Sequence, residues 1–100
     1  MINDANIRDL EQIVCNKLQI DHDLIYRRSR SHEIVLARIF IFIFLRKYSA
    51  MTLTQIGQRY GLLYCTISYH INKMWNLLDV DRKIALLYEE IDSELKHKLN

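Results

Sequence analysis

The sequence predicts an all-α fold, a compact bundle of about five to six helices containing a helix-turn-helix, and three observations support that prediction. The chain has no proline and only two glycines, Gly57 and Gly61, so it offers few tight turns to a β-sandwich or a run of hairpins. Apolar residues recur at three- and four-residue spacing toward both ends. Between them, Thr52-Leu-Thr-Gln55 followed by Gly61 has the chemistry of a short helix capped at its start and stopped at its end. One hundred residues suit a single domain, 1–100, with the helix-turn-helix at 51–78.

Each element follows from its own residues. Ile7, Leu10, Ile13, Val14 and Leu18 predict a first helix over about Ala5–Leu18, with Asp4 able to cap it. Gln19–Asp21 breaks that pattern. His22–Tyr26 then has the length of one helical turn behind Asp21, and Arg27–Ser31 is a polar, basic connection. Ser31 suits the cap of the next helix and Glu33 its first turn, where the helix dipole favours an acid. That helix runs to about Lys47. Its Ile39–Leu45 stretch is rich in strand-favouring residues, but the apolar run is continuous with Ile34–Ala37 and its neighbours are helical. It reads as a central helix buried on most sides.

Thr52 to Gln55 forms a capping box, in which the Thr52 hydroxyl accepts from the Gln55 amide and the Gln55 side chain returns to the Thr52 backbone. The short helix this starts ends at Gly61, where a residue without Cβ takes the left-handed conformation. A second helix runs from Tyr64 or Cys65 to Leu78. Asp79-Val80-Asp81 separates it from a last amphipathic helix, Arg82–Lys96, capped by Asp81, in which Ile84, Leu87, Tyr88, Ile91 and Leu95 share one face.

The middle of the chain carries the functional signal. Two helices crossing steeply need a small residue where they approach, and Gly57 supplies it four residues before the Gly61 turn. Ile56, Tyr60, Leu62, Ile67 and Ile71 lie where inward side chains would lock the pair. Tyr64, Cys65, Thr66, Ser68 and Tyr69 are then free to face a major groove. An ordinary helical hairpin without a nucleic-acid role is the competing interpretation of the same spacing.

Charge points the same way. Between Tyr26 and Lys73 there are eight basic residues against one acid, Glu33, for a net +7, although the whole chain carries only +2. Those eight are Arg27, Arg28, Arg30, Arg38, Arg46, Lys47, Arg59 and Lys73. A basic block between acidic ends suits a polyanionic partner, and it equally suits solvated helix faces.

Other classes find little support. Cys15 and Cys65 have no paired spacing, so neither a disulfide framework nor a zinc site is expected. His22, His32, His70 and His97 match no metal pattern. Trp75 shares a face with Ile71 and Leu78 and is expected in the core. No Ser-His-Asp, Cys-His or paired-carboxylate arrangement is visible, so the chain is not expected to be an enzyme or to hold a cofactor. The N-terminus lacks the pattern of a signal peptide. Ile34–Leu45 is too short to span a bilayer and contains Arg38, so no membrane partner is expected.

From Ser29 to Met74 the sequence also resembles the C-terminal DNA-binding domain of the bacterial replication initiator DnaA, a fold related to Trp repressor. The parallels are Arg28-Ser29-Arg30, the Ala37-Arg38 pair, Leu53-x-x-Ile56-Gly57, Gly61 and Thr66. The final helix suits the family too, so the likeness covers about Ile7 to Leu95. It implies a loop arginine in the minor groove, falling on Arg30 with Arg28 as second choice, and a phosphate or groove-edge contact from Arg38. The chain departs from the family where the recognition helix starts. The family has Gly-Gly-Arg-Asp-His-Thr-Thr-Val, and here Gly61-Leu62-Leu63-Tyr64-Cys65-Thr66-Ile67-Ser68 stands instead. Of the contacting cluster only Thr66 remains, so the family's target sequence does not carry over. With no phosphate-binding loop in the chain, a stand-alone relative rather than an initiator is expected.

The sequence therefore predicts double-stranded DNA as partner. Arg27, Arg28, Arg30, Arg38, Arg46, Lys47, Arg59 and Lys73 are the candidate phosphate contacts. Tyr64, Cys65, Thr66, Ser68 and Tyr69 are the candidate groove-facing residues, with Tyr64 or Tyr69 suited to a thymine methyl. A small transcription- or replication-associated regulator, cytoplasmic, nucleoid-associated and encoded by a bacterium or phage, fits this chemistry. The apolar Leu62–Cys65 run keeps a protein-interaction module open as the alternative, and a protein partner or homodimer remains open with it.

Overall fold

The computed structural model describes residues 4–27 and 31–99. Helix α1, Asp4–Leu18, turns Ile7, Leu10, Val14 and Cys15 fully inward. It stops where Gln19 takes a positive φ of 58°, the left-handed conformation that ends many helices. A 3-10 turn, His22–Tyr26, follows and buries Ile25. Helix α2 spans His32–Tyr48, α3 Leu53–Tyr60, α4 Tyr64–Val80 and α5 Arg82–Leu99. Among the described residues every regular element is helical, as the sequence predicts.

Helix α2 is the axis of the bundle. Ile39 to Leu45 are all buried, seven consecutive residues, which a helix sustains only when other elements cover it on every side. Here α1, the 3-10 turn, α3 and α4 all pack against it, while α5 closes the bundle against α1 and α4. Burial of this kind outweighs strand propensity, because each such side chain removed from water contributes about 2 kcal/mol. Phe42 meets Tyr60 of α3 with ring centroids 5.4 Å apart, and Phe44 stacks on Tyr88 of α5 at 4.9 Å.

The α3–α4 corner follows its sequence closely. Thr52 Oγ1 accepts from the Gln55 amide at 3.1 Å, and the Thr52 amide donates to Gln55 Oε1 at 2.8 Å. Gly61 has φ 71°. A Cβ at Gly57 would overlap the carbonyl oxygen of Leu62, while the Leu62 amide donates to the Gly57 carbonyl at 2.8 Å. The small residue therefore admits the turn itself, not the body of α4. Ile56 and Ile67 are fully buried, with Tyr60 and Leu62 packed against the core.

Several boundaries differ from expectation. Helix α4 continues through Asp79 and Val80, so Asp81 alone separates it from α5. Asp81 Oδ1 caps α5, accepting from the Lys83 and Ile84 amides at 3.0 and 3.2 Å, and one such residue is enough to restart a helix. Helix α5 runs to Leu99, beyond Lys96. Ser31 occupies the cap position of α2 without a side-chain capping bond, and its hydroxyl donates to Glu33 Oε2 at 3.0 Å. Trp75 is 45% exposed, with its ring edge on Tyr88, and does not lie in the core.

Candidate nucleic-acid interface

The outward face of α4 is open. Leu63 at its N-terminal boundary is 71% exposed, Tyr64 and Tyr69 are 60% exposed, and Cys65 and Lys73 also face solvent. Thr66 and Ser68 are half-buried on the two flanks, as a helix with Ile67, Ile71 and Met74 inward requires. Lys73 Nζ lies 6.0 Å from the Tyr69 ring centroid, so a cation stands directly beside the apolar part of this face. Asn72, exposed three residues beyond Tyr69, shares the surface. It lies in the third turn of α4, beyond the leading residues that the sequence spacing points at a groove.

The basic residues divide into two groups. Around the 3-10 turn, Arg38 Nε donates to the Ile25 carbonyl at 2.8 Å, and its Nη2 donates to the Arg27 carbonyl. Arg59 Nη2 reaches the Tyr26 hydroxyl at 3.3 Å. Two guanidinium groups thus grip three consecutive residues, Ile25, Tyr26 and Arg27, and the Arg27 side chain is exposed there. Burial lowers the Arg38 pKa, but guanidinium stays charged regardless. His70 packs near Phe42, with ring centroids 6.5 Å apart. Burial, then the charges of Lys73 and Arg38, lower its pKa from the ordinary value. Arg28 and Arg30, the loop arginines singled out from the sequence, lie outside the described residues.

The second group stands at the far end of α2. Arg46 Nη1 donates to the Met51 carbonyl at 3.0 Å and fastens the approach to α3. Lys47 Nζ turns toward α5, 3.1 Å from the Tyr88 hydroxyl and 3.2 Å from Asp92 Oδ1. Its charge already has a partner inside the protein. Eight to nine residues separate this pair from Arg38, about 12 Å along a helix axis. A groove of about 530 Å³ connects this pair with α4, since Arg46 and Lys47 border it together with Ser68, Asn72 and Trp75.

Behind the first group is a polar centre that the sequence reading missed. Glu11 is 1% exposed. Its carboxylate accepts from the Tyr26 hydroxyl and from the Tyr60 hydroxyl at 2.6 Å, with His22 Nε2 at 3.0 Å and Arg59 Nε at 3.8 Å. A buried carboxylate is tolerated only when its oxygens are satisfied in this way. The network joins α1, the 3-10 turn and α3. It also holds the Tyr60 hydroxyl far above its ordinary pKa, through burial and then the bond to Glu11. The signal was present in the sequence: Glu11 falls four residues after Ile7 and three before Val14, on the apolar stripe of α1.

No cluster of three or more His, Cys, Asp or Glu able to hold a metal ion occurs among the described residues. Within the same residues, no helix is long and apolar enough to cross a membrane.

Comparison with known proteins agrees with this architecture. The family model for the bacterial DnaA protein helix-turn-helix matches residues 7–74. The chromosomal replication initiator protein DnaA of Borreliella burgdorferi is 30% identical over 95 residues, 94% of this chain and 20% of the relative. That of Bacteroides thetaiotaomicron is 27% identical over the same shares of the two chains. The chain thus spans about a fifth of the length of the curated relatives it matches. With the family match extending from α1 through most of α4, this chain belongs to the bacterial DnaA helix-turn-helix family.

Proposed function

We propose that this chain binds double-stranded DNA, laying α4 in the major groove while the basic loop before α2 reaches the adjacent backbone and minor groove. The observation that carries this reading is the open outward face of α4, with Lys73 upon it, in a member of the bacterial DnaA helix-turn-helix family. Arg27, Arg59 and Lys73, with Arg28 and Arg30 of the loop, are the favoured phosphate and minor-groove contacts. Arg38 supports the loop as well as adding charge. Arg46 and Lys47 stand apart from the 3-10 turn and border the groove that Ser68 and Asn72 of α4 line, but their bonds to Met51 and Asp92 leave them to contribute less. Thr66, Ser68, Tyr64, Cys65 and Tyr69 face the base edges. The biological setting we propose is replication- or transcription-associated regulation in the bacterial or phage-infected cytoplasm. The relatives are replication initiators by name, which favours the replication setting.

Fluorescence anisotropy with a mixed-sequence duplex tests the reading. Five phosphate contacts give a log–log salt slope of about −4.5, and replacing Arg28 and Arg30 with Ala brings it to about −3 with a matching loss of affinity. Unchanged affinity and slope in that double variant remove the loop from the interface. The exposure of Leu63 and Tyr64 favours a second reading, a protein-interaction module that keeps the fold. Absence of duplex binding even at low salt selects it.

A further inference from the structure

Of the seven large apolar side chains that stand exposed among the described residues, three, Leu63, Tyr64 and Tyr69, lie on the first two turns of α4 or at its boundary. A helix that reads bases by paired hydrogen bonds carries Arg, Asn or Gln there. This one carries a leucine and two aromatic rings, which give no bidentate pairing. Within the fold Tyr69 meets His70 and Lys73, while Leu63 and Tyr64 stand open, and all three remain more than half exposed to an outside contact.

Charge narrows the choice of partner. Lys73 Nζ sits 6.0 Å from the Tyr69 ring, and Arg59 is exposed one helix away. An apolar protein surface docking on Leu63 and the tyrosines would have to desolvate Lys73 or supply an acid for it. The major groove answers both demands at once, because phosphates wall it and the C5 methyl of thymine is the apolar feature on its base edges.

We infer that Leu63, Tyr64 and Tyr69 form an apolar reading edge for the C5 methyl group of pyrimidines, so the first two turns of this helix select DNA by methyl contact, Asn72 in the third turn being the amide left on that surface for a paired hydrogen bond. The inference rests on the DNA-binding reading above and names the feature that is read. Thymine is recognised over cytosine, and 5-methylcytosine counts as thymine-like at the contacted positions.

The test uses one mixed-sequence duplex prepared in three forms: unmodified, with deoxyuracil at every thymine, and with 5-methylcytosine at every cytosine. Deoxyuracil keeps every hydrogen-bonding group of thymine and loses only the methyl. Affinity should fall roughly fourfold for each contacted methyl removed, the factor expected from burying one such group. It should rise by a similar factor for each methyl added to a contacted cytosine. Leu63→Ser, Tyr64→Ser and Tyr69→Ser combined should erase these differences while leaving the salt slope and the helical circular dichroism unchanged, since all three side chains stand at the surface. Equal binding of the three duplexes overturns the inference and leaves DNA binding intact. Discrimination that survives in the triple variant overturns the residue assignment. Failure to bind any of the three duplexes at low salt overturns both readings together.

Discussion

Gly57 and Gly61 lie four residues apart in the same corner, and physical chemistry constrains them differently. At Gly61 the backbone has φ 71°, and a Cβ would meet nothing within 4 Å. The cost of a side chain there is conformational alone, about 1 kcal/mol for alanine. At Gly57 the φ is ordinary, but a Cβ would overlap the Leu62 carbonyl oxygen, which belongs to backbone and cannot swing aside. Gly57→Ala should therefore cost about 3 kcal/mol, at the upper end for overpacking, and should displace the start of α4. Urea unfolding of the two variants checks the order. A Gly61→Ala loss equal to or larger than that of Gly57→Ala would show that the turn yields more easily than this close approach allows.

At the level of elements, the patterned parts of the chain were legible and the exceptions had physical causes. The capping box, Gly61 and the amphipathic stripes each rest on local chemistry, so the sequence located α1, α3 and α5 within a few residues. Helix α2 was legible only through context, since its isoleucines and phenylalanines favour strands until the other elements wrap around it. The apolar stripe of α1 marks Glu11 as inward, but nothing local names the partners of the buried carboxylates Glu11 and Asp92, which lie far along the chain: Tyr26 and Tyr60 for one, Lys47 and Tyr48 for the other. Long-range partners leave no periodic trace. The same limit applies to Lys47, which composition places in the basic block and the fold turns toward α5. Lys47→Met should lower stability by about 1 kcal/mol, less than a fully buried charged hydrogen bond contributes because water screens the part-exposed Lys47, while leaving the salt slope of DNA binding unchanged. A slope reduced by about 0.9 in that variant would instead return Lys47 to the phosphate contacts.

Across the whole molecule, two groups whose pKa values the fold lowers, His70 and Asp92, give stability a pH dependence with two stages. Burial, reinforced by the charges of Lys73 and Arg38, lowers the His70 pKa, and its Nδ1 is buried without a hydrogen-bond partner. The unfolded chain therefore takes up a proton that the folded chain resists. The stability tied to neutral His70 is complete above the ordinary histidine value of about 6.5 and is lost as pH falls below it. Asp92 responds lower on the scale. Burial raises its pKa, but hydrogen bonds from Tyr48, Lys47 and Lys96 outweigh that effect and leave it below the ordinary carboxylate value. Its contribution is present above that ordinary value and disappears as pH falls through the folded one. Thermal unfolding should show stability declining first from near pH 6.5 and then more steeply in the carboxylate range, about pH 4 and below. His70→Phe should flatten the first stage and spare the second. It gives up no hydrogen bond at Nδ1, and it places a ring against Phe42 where a ring already packs. A first stage that persists in His70→Phe would assign it to another group and leave His70 without a titrating role in the fold.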